Sequence, residues 1–151
     1  MVWEVAPERY MNNKTILKYA LLAGAVYFCC VSIAHFTGTK IPGLFVYYNI
    51  PSYQYQDTII AFLAFGWSAF LYAGSQQPEI IRPILLSALV ALVGLIYNTV
   101  STDFDAITGA ATDSTPFWIQ IFLLSCYAGW LWVFAARTGL KRSAYSKDSR
   151  T

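Results

Sequence analysis

The chain is poor in charge. Asp, Glu, Lys and Arg together make up 12% of its 151 residues, against 57% hydrophobic residues. A water-soluble domain of this size carries about a quarter of its residues as charges, so a soluble globular class is excluded first. Ten bases against eight acids leave a net charge of +2, which supplies neither the basic surface of a nucleic-acid binder nor an acidic interaction tail. Histidine occurs once, as His35, and that removes bis-histidine haem and the multi-histidine zinc or copper sites from a single chain. Three cysteines, Cys29, Cys30 and Cys126, are too few and too poorly spaced for a disulfide framework. All three fall in apolar stretches, where a thiol is expected to act as a small buried hydrophobe. The GxSxG, HExxH and phosphate-cradling glycine motifs are all missing.

What is present is four apolar runs without a single Asp, Glu, Lys or Arg: residues 19–36, 58–74, 84–100 and 117–136. A helix rises 1.5 Å per residue, so about 17–25 residues cross roughly 30 Å of hydrocarbon, with every backbone group satisfied inside the segment. The runs predict an all-α polytopic membrane protein, a single antiparallel four-helix transmembrane bundle. The first run is too long for the apolar part of a signal peptide, so it is read as a retained helix. Residues 75–83, with Pro78 and Pro83, form a tight connection, and short connections make sequential helices antiparallel neighbours. No internal repeat relates the two helical hairpins.

Orientation follows from the bases. Arg9, Lys14, Lys18, Arg82, Arg137, Lys141, Arg142, Lys147 and Arg150 all belong to one side of such a bundle, and only Lys40 to the other. Bases are retained on the cytoplasmic side, so both termini are expected there, with the two longer loops outside. The sequon at Asn13 then lies inside and is a chance match. Tyr19, Tyr72, Trp130 and Trp132 would sit toward the inner interface and Tyr97 and Trp118 toward the outer one, whereas Trp67, mid-run, is expected to fill the bundle core.

Helices in lipid associate by close backbone approach and polar contact, because lipid is as apolar as leucine. Small residues four apart therefore mark expected seams: Ala20 and Gly24, Ala69 and Ala73, Ser87 and Ala91, Ser125 and Gly129.

Threading the runs brings four polar residues to one depth near the outer face: His35, Asp57, Asn98 and Gln120. Polar groups at such depth face a bundle interior or a wet cavity, or else mark where headgroups begin. The loop over 37–56 carries Phe45, Tyr47, Tyr48, Tyr53 and Tyr55 and a single charge. It is too long for a plain connection and too aromatic for disorder. It is expected to fold over the outer mouth as an interfacial anchor or a lid, its tyrosine hydroxyls directed to water or to His35 and Asp57. The second outer loop, 101–115, holds Asp103, Asp105 and Asp113. Carboxylates can take a hard cation, but the spacing is not that of an EF-hand and acids outside complement bases inside. No metal is assigned.

The ligand or partner-binding set expected from the sequence is thus His35, Tyr48, Tyr53, Tyr55, Asp57, Asn98 and Gln120, with no catalytic residue assigned. The first reading is a small non-enzymatic integral membrane protein, an accessory subunit of a membrane complex or a binding protein, in contact with the lipid bilayer and with its own copies or other subunits but not with nucleic acid. Two alternatives stand beside it: an oligomeric transporter or channel lined by the four polar residues, and a membrane enzyme acting on a lipid or quinone with His35 and Asp57 as an oriented base. No cofactor is identified by the sequence.

Overall fold

A computed structural model of the chain describes residues 7–41, 50, 51 and 53–138. Among them are four long helices, α1 (Pro7–Thr37), α2 (Gln54–Gln76), α3 (Ile81–Ser101) and α5 (Thr115–Arg137). A 3₁₀ turn at Pro78–Ile80 and a short helix α4 (Phe104–Thr108) lie between them, and the described residues form no strand. Each long helix contains a stretch long and apolar enough to cross a membrane, as the four runs predict.

Proline and glycine set the helix limits. Pro7 opens α1, where its missing N–H removes a group that would have no helical partner. Pro116 does the same in the first turn of α5. α1 ends at Gly38, whose φ of +67° is a left-handed conformation that glycine adopts at no steric cost. There the Gly38 N–H donates to the His35 carbonyl at 3.2 Å and the Thr39 N–H to the Ala34 carbonyl at 2.9 Å, the paired bonds of a Schellman stop. α1 has 31 residues and is therefore about 46 Å long. It starts twelve residues before the apolar run does, because a helix continues through a polar stretch wherever its backbone bonds are kept, and hydropathy marks only the apolar part.

Buried and half-buried positions recur at alternating spacings of four and three. On α2 they are Asp57, Ala61, Ala64, Ser68 and Leu71; on α3, Ile81, Leu85, Ala88, Leu92, Leu95 and Thr99; on α5, Phe117, Ile121, Leu124, Ala128, Leu131, Ala135 and Thr138. This mean of 3.5 keeps one narrow face of each helix against a neighbour over many turns. One residue from each long helix, Leu21, Leu71, Ile84 and Leu131, is only 1% exposed. These four form the centre of an apolar cluster that also takes in Leu17, Ala25, Ile81 and Ala135. The cluster lies at the end of the bundle where α1 begins and α5 finishes.

The spatial order is α2–α1–α5–α3. α1 packs against α2 and α5, and α5 against α3, while the backbones of α1 and α3, and of α2 and α5, do not come close, those pairs meeting only through side chains of the cluster. The expectation that sequential helices are neighbours thus holds for α1 with α2 and for α3 with α5. α2 and α3 meet where Ile84 fills the space beside Gly74, next to the turn that joins them.

Three hydroxyl bonds tie this order together. Ser32 donates to the Ala61 carbonyl at 2.8 Å and Ser68 to the Ala25 carbonyl at 2.7 Å. Ala25 and Ser32 on α1, like Ala61 and Ser68 on α2, are two helical turns apart, so the two bonds lock one antiparallel register. The Tyr127 hydroxyl donates to the Ala20 carbonyl at 3.0 Å and sits over Gly24. Of the four expected small-residue seams, only Ala20 and Gly24 lie in a contact. Ala69, Ala91, Ser125 and Gly129 are exposed, and Ala73 and Ser87 are half-buried. Smallness permits close approach but does not choose a face; hydroxyls and aromatics with bonding needs did so here. Trp67 stacks on Phe28 with ring centroids 5.9 Å apart, at the α1–α2 contact, which agrees with its expected packing role. The cysteines correct an expectation: Cys30 and Cys126 are exposed and Cys29 half-buried, all with free thiols.

The loop after α3 spends its acids on its own backbone. Asp103 caps α4 by accepting the Ala106 N–H at 3.1 Å, Asp105 accepts the Thr112 N–H at 2.7 Å, and Asp113 accepts the Thr115 N–H at 2.9 Å. The Phe104 ring stacks on Phe117 at 4.5 Å and anchors the loop on α5. The bonds from Thr115 hold the Asp113 carboxyl below its ordinary range. A carboxylate with a depressed folded value stabilises its turn at pH above about 4 and loses that contribution as pH falls through the lower value. The Thr115 amide resonance is therefore expected to titrate with a midpoint below that of a free aspartate and to stop titrating in Asp113→Asn. A midpoint at or above the free value would contradict the capping bond.

Candidate functional site

The C-terminal turn of α1 and the N-terminal turn of α2 come together at the end of the bundle opposite the apolar cluster. His35 Nδ1 lies 3.2 Å from Asp57 Oδ1, and the two side chains are only 16% and 15% exposed. The local structure places both. The Schellman stop at Gly38 fixes His35 in the last turn of α1, at the negative end of that helix's dipole. Asp57 follows a first turn in which the Tyr53 N–H reaches Gln56 Oε1 at 3.4 Å and the Asp57 N–H donates to the Tyr53 carbonyl at 3.1 Å. Asp57 therefore lies at the positive end of the α2 dipole. Each group thus meets a complementary dipole as well as a complementary side chain.

The remaining residues of the expected set do not converge on this pair. Tyr53 caps α2 and Tyr55 lies in its first turn, both 77% exposed. Their rings stand out from the bundle instead of covering the pair, because the start of α2 extends into what the sequence suggested was loop. Tyr48 lies outside the described residues, as do Phe45 and Tyr47. Asn98 is exposed near the end of α3, where its Oδ1 accepts from the Thr102 hydroxyl at 3.2 Å. Since the backbones of α3 and α1 do not approach each other, similar depth does not bring Asn98 to His35. Gln120 is half-buried on α5, next to Ile121 on the face turned to α3 and α1, and has no hydrogen bond to a described residue.

Sequence reasoning missed Ser32, Ser68 and Tyr127, the three residues that hold α1 in place. The signal was present, since a hydroxyl within an apolar run has to find an acceptor. Ser32 is one turn before His35, so its bond to Ala61 and the His35–Asp57 pair brace the same stretch of α1 against α2.

Chemically, an imidazole with Nδ1 held by a carboxylate is oriented and can accept or hold a proton. It can also recognise a polar headgroup or a partner's side chain. At the other end, the packed layer of Leu21, Leu71, Ile84 and Leu131 interrupts any polar path through the single chain. Among the described residues no three His, Cys, Asp or Glu side chains cluster as a metal site would require.

Fold and site together define a class: an all-α bundle of four helices, each long and apolar enough to cross a membrane, whose first two helices are joined by a half-buried histidine–aspartate pair. Comparisons with protein-family models, with curated proteins and with solved structures found no match to this chain.

Proposed function

We propose that the chain is a non-enzymatic subunit of a larger integral membrane assembly, oriented with both termini on the cytoplasmic side and recognising its partner at the opposite mouth. The orientation rests on the bases: among the described residues Lys14, Lys18, Arg82 and Arg137 are exposed at the end of the bundle that holds the apolar cluster, and only Lys40 at the other. The observation that carries the role is the difference between two pairs of polar residues. His35 and Asp57 satisfy each other within the chain. Asn98 and Gln120, on the α3–α5 pair, have no interhelical bond in it, and amide groups at this depth are costly to leave in lipid. α3 also buries only 11% of its most apolar window, leaving most of its surface for lipid and for other helices. A second helix supplying acceptors and donors to the two amides satisfies both observations.

The test is gentle detergent extraction followed by native mass spectrometry. A stoichiometric second component is expected, either another protein or another copy. Interhelical hydrogen bonds contribute about 1–2 kcal/mol each in model peptides. Asn98→Ala with Gln120→Ala is therefore expected to lower partner retention at least about ten-fold while the unfolding midpoint of the chain stays unchanged. A monomer carrying no stoichiometric partner overturns the proposal.

A second reading is supported by the formed pair itself: a membrane enzyme acting on a lipid or quinone, with His35 as base and Asp57 orienting it. It requires turnover by membranes containing the chain that is lost in His35→Ala. Turnover that survives the substitution leaves the mechanism without its base.

A further inference from the structure

Where α1 meets α5, a groove runs along the outside of the bundle. Tyr127 forms its floor, since its hydroxyl bonds the Ala20 carbonyl and lies over Gly24. By helical periodicity Trp130, Phe134 and Arg137 fall within about 80° of Tyr127 on α5, turned away from Ile121 and Ala128, the positions directed to α3. On α1, Ile16, Ala23 and Tyr27 fall within about 60° of Ala20, turned away from Ala25 and Ser32, which bond α2. α2 and α3 touch each other at Gly74 and Ile84, so they lie on one side of the α1–α5 contact and both sets of residues line its other side.

The groove is apolar along its length and polar at one end. Trp130 is 54% exposed, Ile16 is half-buried beside the floor, and Ala23 and Tyr27 continue the apolar wall. The Phe134 ring packs on Trp130 with centroids 5.0 Å apart, and the Arg137 guanidinium lies 5.6 Å over the Phe134 ring. Arg137 is the last residue of α5, which sets its cation where the apolar run stops. Tyr127 meets Ala20, so in antiparallel helices Phe134, seven residues on, is level with Asn13, seven residues back. Asn13 is half-buried there and makes no hydrogen bond to a described residue, which leaves an amide donor beside the guanidinium.

We propose that this groove holds one acidic phospholipid, with its phosphate on Arg137 and Asn13 and an acyl chain along Trp130 and Ile16. A guanidinium offers a phosphate two parallel donors, and stacking on Phe134 orients it at the groove mouth. The charge around the mouth selects the headgroup. Lys14, Lys18 and Arg82 are exposed at the same end of the bundle, against the exposed acid Glu79, so a headgroup carrying its own cation is repelled where an acidic one is attracted. A packed protein helix fits less well, because helices in lipid approach over small residues and Trp130 stands out of this wall. The site rests on the bilayer-spanning part of the reading above and not on the subunit role, whose partner surface is at the opposite mouth.

The test is quenching of tryptophan fluorescence in bilayers of equimolar phosphatidylcholine and phosphatidylglycerol, with one or the other brominated midway along its chains. Two forms of the chain are compared, one keeping only Trp130 and one only Trp132, every other tryptophan being replaced by phenylalanine. Trp132 is exposed on another face of α5 and reports ordinary contact with the bilayer. Phosphatidylglycerol is expected to be preferred at Trp130 by about five-fold, the factor one base contributes beside anionic lipid, and not to be preferred at Trp132. Arg137→Gln is expected to abolish the preference at Trp130, and Arg82→Gln, on α3 and away from the groove, to leave it in place. Equal quenching of Trp130 by the two lipids overturns the site. So does a preference that survives Arg137→Gln, or one that falls as far in Arg82→Gln, which would make it a property of the whole basic end. Trp130 left unquenched while Trp132 is quenched overturns it too, since protein then fills the groove. Quenching of neither tryptophan removes the bilayer-spanning reading together with the site.

Discussion

Leucine in place of Gly24 is expected to unseat α5 from the α1–α2 pair, at a cost of about 2–4 kcal/mol, the upper range for overpacking a filled core. A Cβ at Gly24 already runs into the Tyr127 hydroxyl and lies 3.1 Å from Leu71 Cδ1. Unfolding by a denaturing detergent in mixed micelles measures the loss. Two companions identify its origin. Gly129→Leu, at a glycine that opens on empty space, is expected to change stability by no more than about 0.5 kcal/mol. Tyr127→Phe removes the bond to the Ala20 carbonyl and costs about 0.6–1.7 kcal/mol alone, but it also removes the atom that obstructs Gly24. The double variant Gly24→Ala with Tyr127→Phe should therefore lose less than its single variants together. Strict additivity would mean that Tyr127 does not sit over Gly24.

The second large effect is expected at the histidine–aspartate pair. His35→Ala or Asp57→Ala alone should lower stability by about 1–2 kcal/mol, below the range for a fully buried charge-assisted bond because both side chains keep some solvent. A double-mutant cycle should return a coupling of about 1 kcal/mol, because once one partner is gone the other contributes little. The exchange His35→Asp with Asp57→His is the sharper measurement. It keeps both groups and their proximity but sets a carboxylate at the C-terminal end of α1 and an imidazole at the N-terminal end of α2. Each group then opposes its helix dipole, at about 0.3–1 kcal/mol apiece. The exchanged protein is expected to be less stable than the original. Equal stability would assign the whole effect to the pair and none to the dipoles.

These two sites differ in how visible they were from sequence. His35 and Asp57 stood out because a lone imidazole and a carboxylate at the ends of two consecutive apolar runs are brought to one depth by any antiparallel hairpin. Asn98 and Gln120 satisfy the same depth criterion, yet the structure keeps Asn98 away from the pair. Depth is one coordinate of three. It carries no information about which face of a helix a residue occupies or which helices are neighbours. Tyr53 and Tyr55 show the complementary error: a polar, aromatic stretch resembled loop although its residues extend α2 by a turn. Gly24 and Gly129 show a third. Both belong to small pairs four residues apart, and only the bonding needs of Tyr127 separate the one that packs from the one that does not.

The sequence by itself determined the all-α class, the number of long apolar helices and the short turn between α2 and α3, but not that α1 begins as early as Pro7. Each follows from one-dimensional quantities: the length of an apolar run against the thickness of a bilayer, and the conformational limits of proline and glycine. Tertiary structure alone decided the order α2–α1–α5–α3, the faces used at each contact, the meeting of His35 with Asp57 and that of Gly74 with Ile84. The physical reason is that lipid supplies no hydrophobic preference for one helix face over another. The place of α1 between α2 and α5 is set by a few directional bonds, from Ser32, Ser68 and Tyr127, whose partners are backbone carbonyls. Every residue has such a carbonyl, so nothing in the order of the side chains marks which one will be used.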